Sequence, residues 1–322
     1  MRRREFVGLL GGAAAAWPLR ARAQTYPTQP LKLIVPFGAG GSLDVLARLV
    51  GEQLSRNLGQ PVVIENRTGA AGNLAAEAVA RADADGHTLL TVATSFAVNA
   101  TLYAHLRFDP RKDFLPVAMF GATQNILVAN PQFPGRTVGE LIERAKLQPG
   151  KIDYASVGVG TSGHLTMELL KTMAGIDLAH VPYRSASQEI TDLISGVVSL
   201  AMPTIPGVTG QIETGKLRAL AVSGSRRSSN LPAVPTMAEA GVPGYEATTW
   251  YALLAPAGVR SDIATRLNTE IGRILADPVV IEKLSKQGIE PMTMSPQQLA
   301  GYMTSEIDKW SAVVRAANIK VE

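Results

Sequence analysis

No cysteine occurs among the 322 residues, so disulfide frameworks, zinc–thiolate sites and cysteine nucleophiles are excluded at once. Histidine is nearly as scarce, with only His87, His105, His164 and His180, scattered so that no two share a helix at i, i+4. A histidine metal site therefore has no support in the spacing. Paired carboxylates at general acid/base positions do not stand out, no repeat of fixed period is visible, and no low-complexity tract interrupts the chain. Long apolar runs are missing too: the longest, Phe6 to Trp17, is far short of the roughly 20 residues needed to cross a bilayer.

That short run has a different meaning. It follows Arg2, Arg3 and Arg4 and precedes Ala21-Arg22-Ala23, a small-x-small site, which together make an export signal cut after Ala23. Arg3-Arg4-Glu5-Phe6-Val7 resembles a twin-arginine signal. Residues 1–23 hold five Arg and one Glu, a net +4 that equals the charge of the whole chain, so the mature protein is formally neutral. Basicity thus argues for no nucleic acid partner, and any anion specificity must come from a local site. The roughly 300 remaining residues suffice for two domains of ordinary size.

Short apolar runs alternate with helical patterns throughout the mature part, the mark of α/β layers around mostly parallel sheets. Strands are expected at Leu31–Pro36, Val62–Glu65, Thr88–Ala93, Val117–Gly121, Ile126–Ala129, Asp153–Ala155, Ala179–Pro182, Ser199–Met202, Arg218–Val222 and Trp250–Ala255. Helices are expected at 262–276, 278–287 and 296–316. Capping boxes at Thr137/Glu140, Ser185/Gln188 and Thr236/Glu239, and Ser295-Pro296 before Gln298, mark further helix starts. These are too many strands for one ordinary doubly wound sheet. The near-continuous strands across 117–129, and the irregular stretch Ser223 to Pro235, predict two crossings between two lobes: 24–122 with 224–322, and 123–223. Two crossings make a hinge over a cleft.

The richest local signal is Phe37-Gly38-Ala39-Gly40-Gly41-Ser42-Leu43-Asp44, after the first strand and before a helix. Converging backbone N–H groups and the helix dipole make such a loop an anion site. A second lies at Ser156 to His164, containing Gly160, Thr161 and Ser162, in the other lobe. Ser42 is the direct contact or a plain N-cap; Asp44 is structural, holding the glycine loop by accepting its N–H groups. Phe37 packs in the core or meets a ligand's carbon skeleton. His164 either faces the ligand or only fixes its loop by a hydrogen bond.

A dinucleotide fold is the competing reading, because Gly38-Ala39-Gly40 follows a strand and Glu65 ends the next. Leu43 occupies the third glycine position and would block the close helix–strand packing that fold needs. A serine-hydrolase elbow fails because His164 stands where its second glycine belongs.

Read together, the loops and the ordered motifs around them resemble the extracytoplasmic receptors of tripartite tricarboxylate transporters, the Bug-type solute-binding proteins. The matches include Tyr26-Pro27, Val35–Asp44 with Ala47-Arg48, and Glu65-Asn66-Arg67 with Gly69-Ala70. They continue through Tyr154-Ala155-Ser156, Gly160-Thr161-Ser162 with His164-Leu165, His180 to Tyr183, Gly215 to Val222 and Glu239-Ala240-Gly241. The resemblance implies a type II, Venus-flytrap periplasmic binding protein of two α/β lobes, not an enzyme. It implies a monomer without cofactor or metal that captures a small di-, tri- or aromatic carboxylate and delivers it to membrane transporter subunits. The family pattern maps the ligand contacts onto Gly40, Gly41 and Ser42, onto Gly160, Thr161, Ser162 and His164, and onto Thr94 and Ser95. Tyr183 and Thr204 join the expected site, although Leu43, Pro203-Thr204 and the turn after Tyr183 depart from the pattern. The alternatives are an exported nicotinamide-dependent oxidoreductase and a receptor of another transporter class. With no acid between Ala201 and Thr209, the pocket is expected to lack a counter-charge for an ammonium, leaving a carboxylate without an amine, its body against Phe37 and Leu43.

Overall fold

The computed structural model describes residues 26–183 and 185–320; the export signal and its cleavage site lie outside them. Among the described residues eleven strands form two sheets. The first contains β1 (Leu31–Val35), β2 (Val62–Asn66), β3 (Thr88–Ala93), β4 (Phe114–Gln124), β10 (Thr248–Pro256) and β11 (Glu290–Pro291), in the order β11-β4-β10-β3-β1-β2. The second contains β5 (Ile126–Ala129), β6 (Asp153–Ser156), β7 (Ala179–Pro182), β8 (Leu200–Ala201) and β9 (Arg218–Val222), in the order β7-β6-β8-β5-β9.

Both sheets are mixed, where the sequence suggested mostly parallel ones. β1 runs parallel to β2 and β3, and β6 parallel to β7 and β8. The strands that carry the chain between sheets break the pattern. β4 leaves the first sheet directly into β5, and β10 returns beside β4 in the opposite sense, so β10 must pair antiparallel with it. β5 is likewise antiparallel to β8 and β9.

The return passage comes later than the composition suggested. After β9 the stretch 224–247 stays with the second sheet: Val222 N–H donates to Pro235 O at 2.8 Å, Met237 N–H to Val222 O at 2.9 Å, and Ala247 N–H to Ser223 O at 2.8 Å. The chain therefore crosses at Ala247–Thr248. The Thr236/Glu239 capping box forms reciprocally, at 2.8 and 3.1 Å, yet no helix follows it. Gly241, at φ 105°, and Pro243 stop the chain after one turn, where a helix would need ordinary αR backbone and an N–H at each position.

The first sheet's two faces follow the period-two alternation of its strands. Leu31, Leu33 and Val35 point to one face with Phe120 and Leu253, beneath α1 (Ser42–Leu58) and α8 (Ser261–Leu275). Ile34, Leu90 and Met119 point to the other, packed with α2 (Asn73–Ala80), α3 (Ser95–Leu102) and the long α10 (Pro296–Ala316). This second core does not stop at the lobe boundary but continues through Leu127 and Tyr154 to Leu165 on α5 (Ser162–Ala174). Within it Glu306 is 5% exposed and accepts from both Trp250 Nε1 and Trp310 Nε1 at 2.9 Å, with Lys309 Nζ also at 2.9 Å. A buried carboxylate is tolerated there because three donors satisfy it.

Candidate functional site

Two glycine loops of the same construction precede α1 and α5. Gly40 and Gly160 both have positive φ, 86° and 78°, and the N-cap residues Gly41 and Thr161 share φ −74° with ψ 162° and 161°. Each loop is tied from behind by the residue four positions after its glycine. Asp44 Oδ2 accepts from Gly40 N–H at 2.9 Å, and His164 Nδ1 accepts from Gly160 N–H at 3.3 Å.

The two ties differ electrically. Burial opposes ionisation of Asp44, but hydrogen bonds from Arg48, Gly40 N–H and Asn66, with the Arg48 charge, outweigh it and hold its carboxyl down at about 2. His164 is pushed down to about 3, first by burial and then by His180 and Lys171; it is neutral at physiological pH. Its ring lies 4.3 Å from that of His180, which itself hydrogen-bonds Ser156 Oγ at 2.7 Å. Both Asp44 and His164 are buried and face their own loops, so His164 fixes its loop rather than lining a cleft.

Between the lobes lies a cavity of about 210 Å³, with Phe37, Thr94, Ser95, Asn99, Leu102 and Thr249 on one side and Gly160, Thr161, Ser162 and Leu165 on the other. Among the described residues no titratable side chain lines it. Its two opposed walls carry helix starts: α3 begins at Ser95 and α5 at Ser162. Neither start has a side-chain cap. Thr94 Oγ1 instead bridges Thr248 O at 3.3 Å and Trp250 N–H at 3.0 Å, while Thr161 Oγ1 donates to Gly158 O at 2.7 Å. Thr137, Ser185, Asp277 and Ser295 do cap α4 (Val138–Leu147), α6 (Ala186–Ser195), α9 (Pro278–Lys286) and α10. The starts of α1, α2, α7 (Thr209–Glu213) and α8 also lack a side-chain cap but do not line this cavity. Helix starts facing the cavity thus keep N–H groups that no side chain answers, and a helix N-terminus with orphan donors favours an anion.

Of the residues singled out in the sequence, Phe37, Thr94, Ser95, Gly160, Thr161 and Ser162 meet in this cavity. Gly40 and Gly41 are exposed on the first loop, and Ser42 turns its hydroxyl toward the buried phenol of Tyr251. Leu43 is 4% exposed and packs among the core residues beneath α1 and α8, so it offers nothing to a ligand. Tyr183 lines neither this cavity nor its neighbour; burial, with Asp192 hydrogen-bonding its phenol, raises its pKa.

Thr204 lies in a second cavity of about 130 Å³, shared with Val157, Ser162, Gly163, Ile190, Pro203 and Glu189. Glu189 was not singled out in the sequence, where it reads as one polar position of a capped helix, α6 (Ala186–Ser195). It is 3% exposed, and burial pushes its carboxyl up to about 7. The acid thus belongs to the neighbouring cavity and not to the interlobe one, and it comes from α6 rather than from the segment after β8. Asn125 was also missed. It sits between β4 and β5, fully buried, with Nδ2 donating to Met202 O at 2.7 Å and to Ser162 Oγ at 3.4 Å. Its Oδ1 accepts from Thr249 Oγ1 at 3.2 Å, so one amide links both passages to the cavity.

The family model described as the tripartite tricarboxylate transporter family receptor matches residues 46–319. The chain is 38% identical over 302 residues to protein BugT of Bordetella pertussis, covering 93% of each. An R. palustris protein solved with adipate is 38% identical and superposes with a TM-score of 0.80 over 92% of this chain and 99% of the other. MatC of Rhodopseudomonas palustris, solved with bound malate, is 32% identical at a TM-score of 0.77 over 90% of this chain and 100% of the other.

Proposed function

The chain belongs to the tripartite tricarboxylate transporter family of receptors, and from that premise we propose which carboxylate grip it uses and how it is delivered. It is a periplasmic receptor for a carboxylate, as fits relatives solved with adipate and malate. The ligand carboxylate is held between the starts of α3 and α5, by the N–H groups and hydroxyls at Thr94, Ser95, Thr161 and Ser162, with Gly40, Gly41 and Ser42 reached when the lobes close. Asp44 and His164 serve as ties behind the loops. The observation that carries this reading is the pair of helix starts without side-chain caps on opposite walls of one cavity.

Binding is reversible and without turnover, the behaviour that fits a family of solute receptors. The lobes that close on the ligand divide near residue 123 and again near 248. The protein is exported by its N-terminal signal, cut after Ala23, and works as a monomer that hands its ligand to the membrane subunits. Thermal unfolding of the mature protein against citrate, C4 to C6 dicarboxylates and aromatic carboxylates tests this. A ligand at 100 times its dissociation constant should stabilise by about 2.7 kcal/mol. Recovery of that ligand unchanged after prolonged incubation supports a receptor. Nicotinamide binding with no carboxylate response would instead favour the oxidoreductase.

A further inference from the structure

We propose that Glu189 anchors a distal subsite for an ammonium group, so that the carboxylate captured by this receptor carries an amine at its far end. Glu189 stands in the first turn of α6, 3% exposed, at a cavity of about 130 Å³ that begins where the interlobe cavity ends: Ser162 lines both. Among the described residues no donor reaches its carboxyl, and burial is the sole influence displacing its titration, upward to about 7. Every other buried carboxylate discussed above has partners. Asp44 has three and Glu306 has three. Glu189 is the exception, and it lines a cavity.

A buried carboxyl without a partner is stabilised by a ligand that brings donors and opposite charge. The remaining described walls supply hydroxyls from Ser162 and Thr204 and apolar surface from Val157, Ile190 and Pro203, and among the described residues no cation lines them. Asp192 on α6 and Asp153 on β6 act on the nearby Tyr183 phenol but not on Glu189, whose titration burial alone displaces. A second ligand carboxylate could share a proton with Glu189, but none of the described residues lining this cavity carries the positive charge that a second anion would need, whereas an ammonium finds its counter-charge in Glu189 itself.

This inference rests on the carboxylate-receptor reading, and the experiment separates the two. Calorimetric titration of the mature protein would compare three series of equal chain lengths. The ω-amino acids are β-alanine, γ-aminobutyrate and ε-aminocaproate; the monocarboxylates are propionate, butyrate and caproate; the dicarboxylates are succinate, glutarate and adipate. One ω-amino acid should bind about ten- to a hundredfold tighter than its monocarboxylate, the range for a hydrogen bond between charged groups. That ratio should widen from about pH 6 to about pH 8, as Glu189 ionises while the ligand amine stays charged. In Glu189→Gln the ratio should collapse toward unity. A dicarboxylate preferred over both other series, with affinity rising as pH falls, would overturn the proposal, as would an amine preference that survives in E189Q. Carboxylates binding with no amine preference would sink the subsite alone. A panel with no binding at all would sink the receptor reading and the subsite with it.

Discussion

In the absence of ligand, Glu189 should weaken the protein as pH rises, and Glu189→Gln should relieve that weakness. The folded state holds this carboxyl at about 7 against an ordinary 4.5 because burial penalises the charged form. A folded-state pKa above the unfolded one means that the native protein binds more protons through this window. The group's contribution to stability is therefore complete below about pH 4.5 and is lost as pH climbs through 7. At about 1.4 kcal/mol for each tenfold change, the loss amounts to about 3 kcal/mol, a large part of the 5–15 kcal/mol typical of a whole protein. Urea unfolding of ligand-free wild type and E189Q at about pH 5 and about pH 8 isolates it, since every other titrating group, His164 included, is common to both proteins. The stability difference between variant and wild type should grow by about 2–3 kcal/mol in the variant's favour from the lower pH to the higher. Parallel profiles would show that Glu189 finds a partner or water in solution, and the reasoning would fail.

Gly160→Ala and Gly40→Ala make a matched pair: both positions have positive φ, but an added Cβ at Gly160 would lie 2.7 Å from Leu102 Cδ2 across the cleft, whereas Gly40 has nothing within 4 Å. G40A should cost about 1 kcal/mol of stability by denaturant unfolding, and G160A should also weaken ligand affinity several-fold by obstructing closure. Ser162→Ala should weaken binding of whichever carboxylate stabilises the protein by about 1–2 kcal/mol, read by calorimetry; undiminished affinity would move the grip elsewhere. Glu306→Ala should cost about 3–5 kcal/mol because it leaves two indole N–H groups and the Lys309 charge without their shared acceptor. E306Q, which keeps one acceptor oxygen, should cost less in the same assay.

Strand positions were legible wherever local pattern decides them: Thr88–Ala93, Ile126–Ala129, Ala179–Pro182 and Arg218–Val222 stand as the apolar runs predicted. The two-residue β11 escaped because Glu290-Pro291 has no strand composition and exists only by pairing with β4. The late return passage was hidden for a related reason. The polar, proline-rich stretch from Ser223 reads as a linker, and only long-range hydrogen bonds to Val222 and Ser223 keep it on the second sheet. Around the cavity, glycine loops and small hydroxyl residues announced themselves through position between strand and helix. Asn125 and Glu189 did not, because an amide between two strands or an acid within a capped helix acquires its meaning from what packs over it. Leu43 erred in the opposite direction: its place beside the glycine loop suggested a contact, while the helical period turned it into the core.

The helix starts on opposite walls of the interlobe cavity also bear on the empty receptor. α3 and α5 both begin at the wall of this cavity, so their positive ends face a shared space and should favour separation of the lobes until an anion lies between them. A bound carboxylate converts that repulsion into attraction on both sides at once. Because such end charges are screened over about 8 Å at physiological ionic strength, raising salt should narrow the contrast in shape between empty and loaded forms more than it disturbs either lobe.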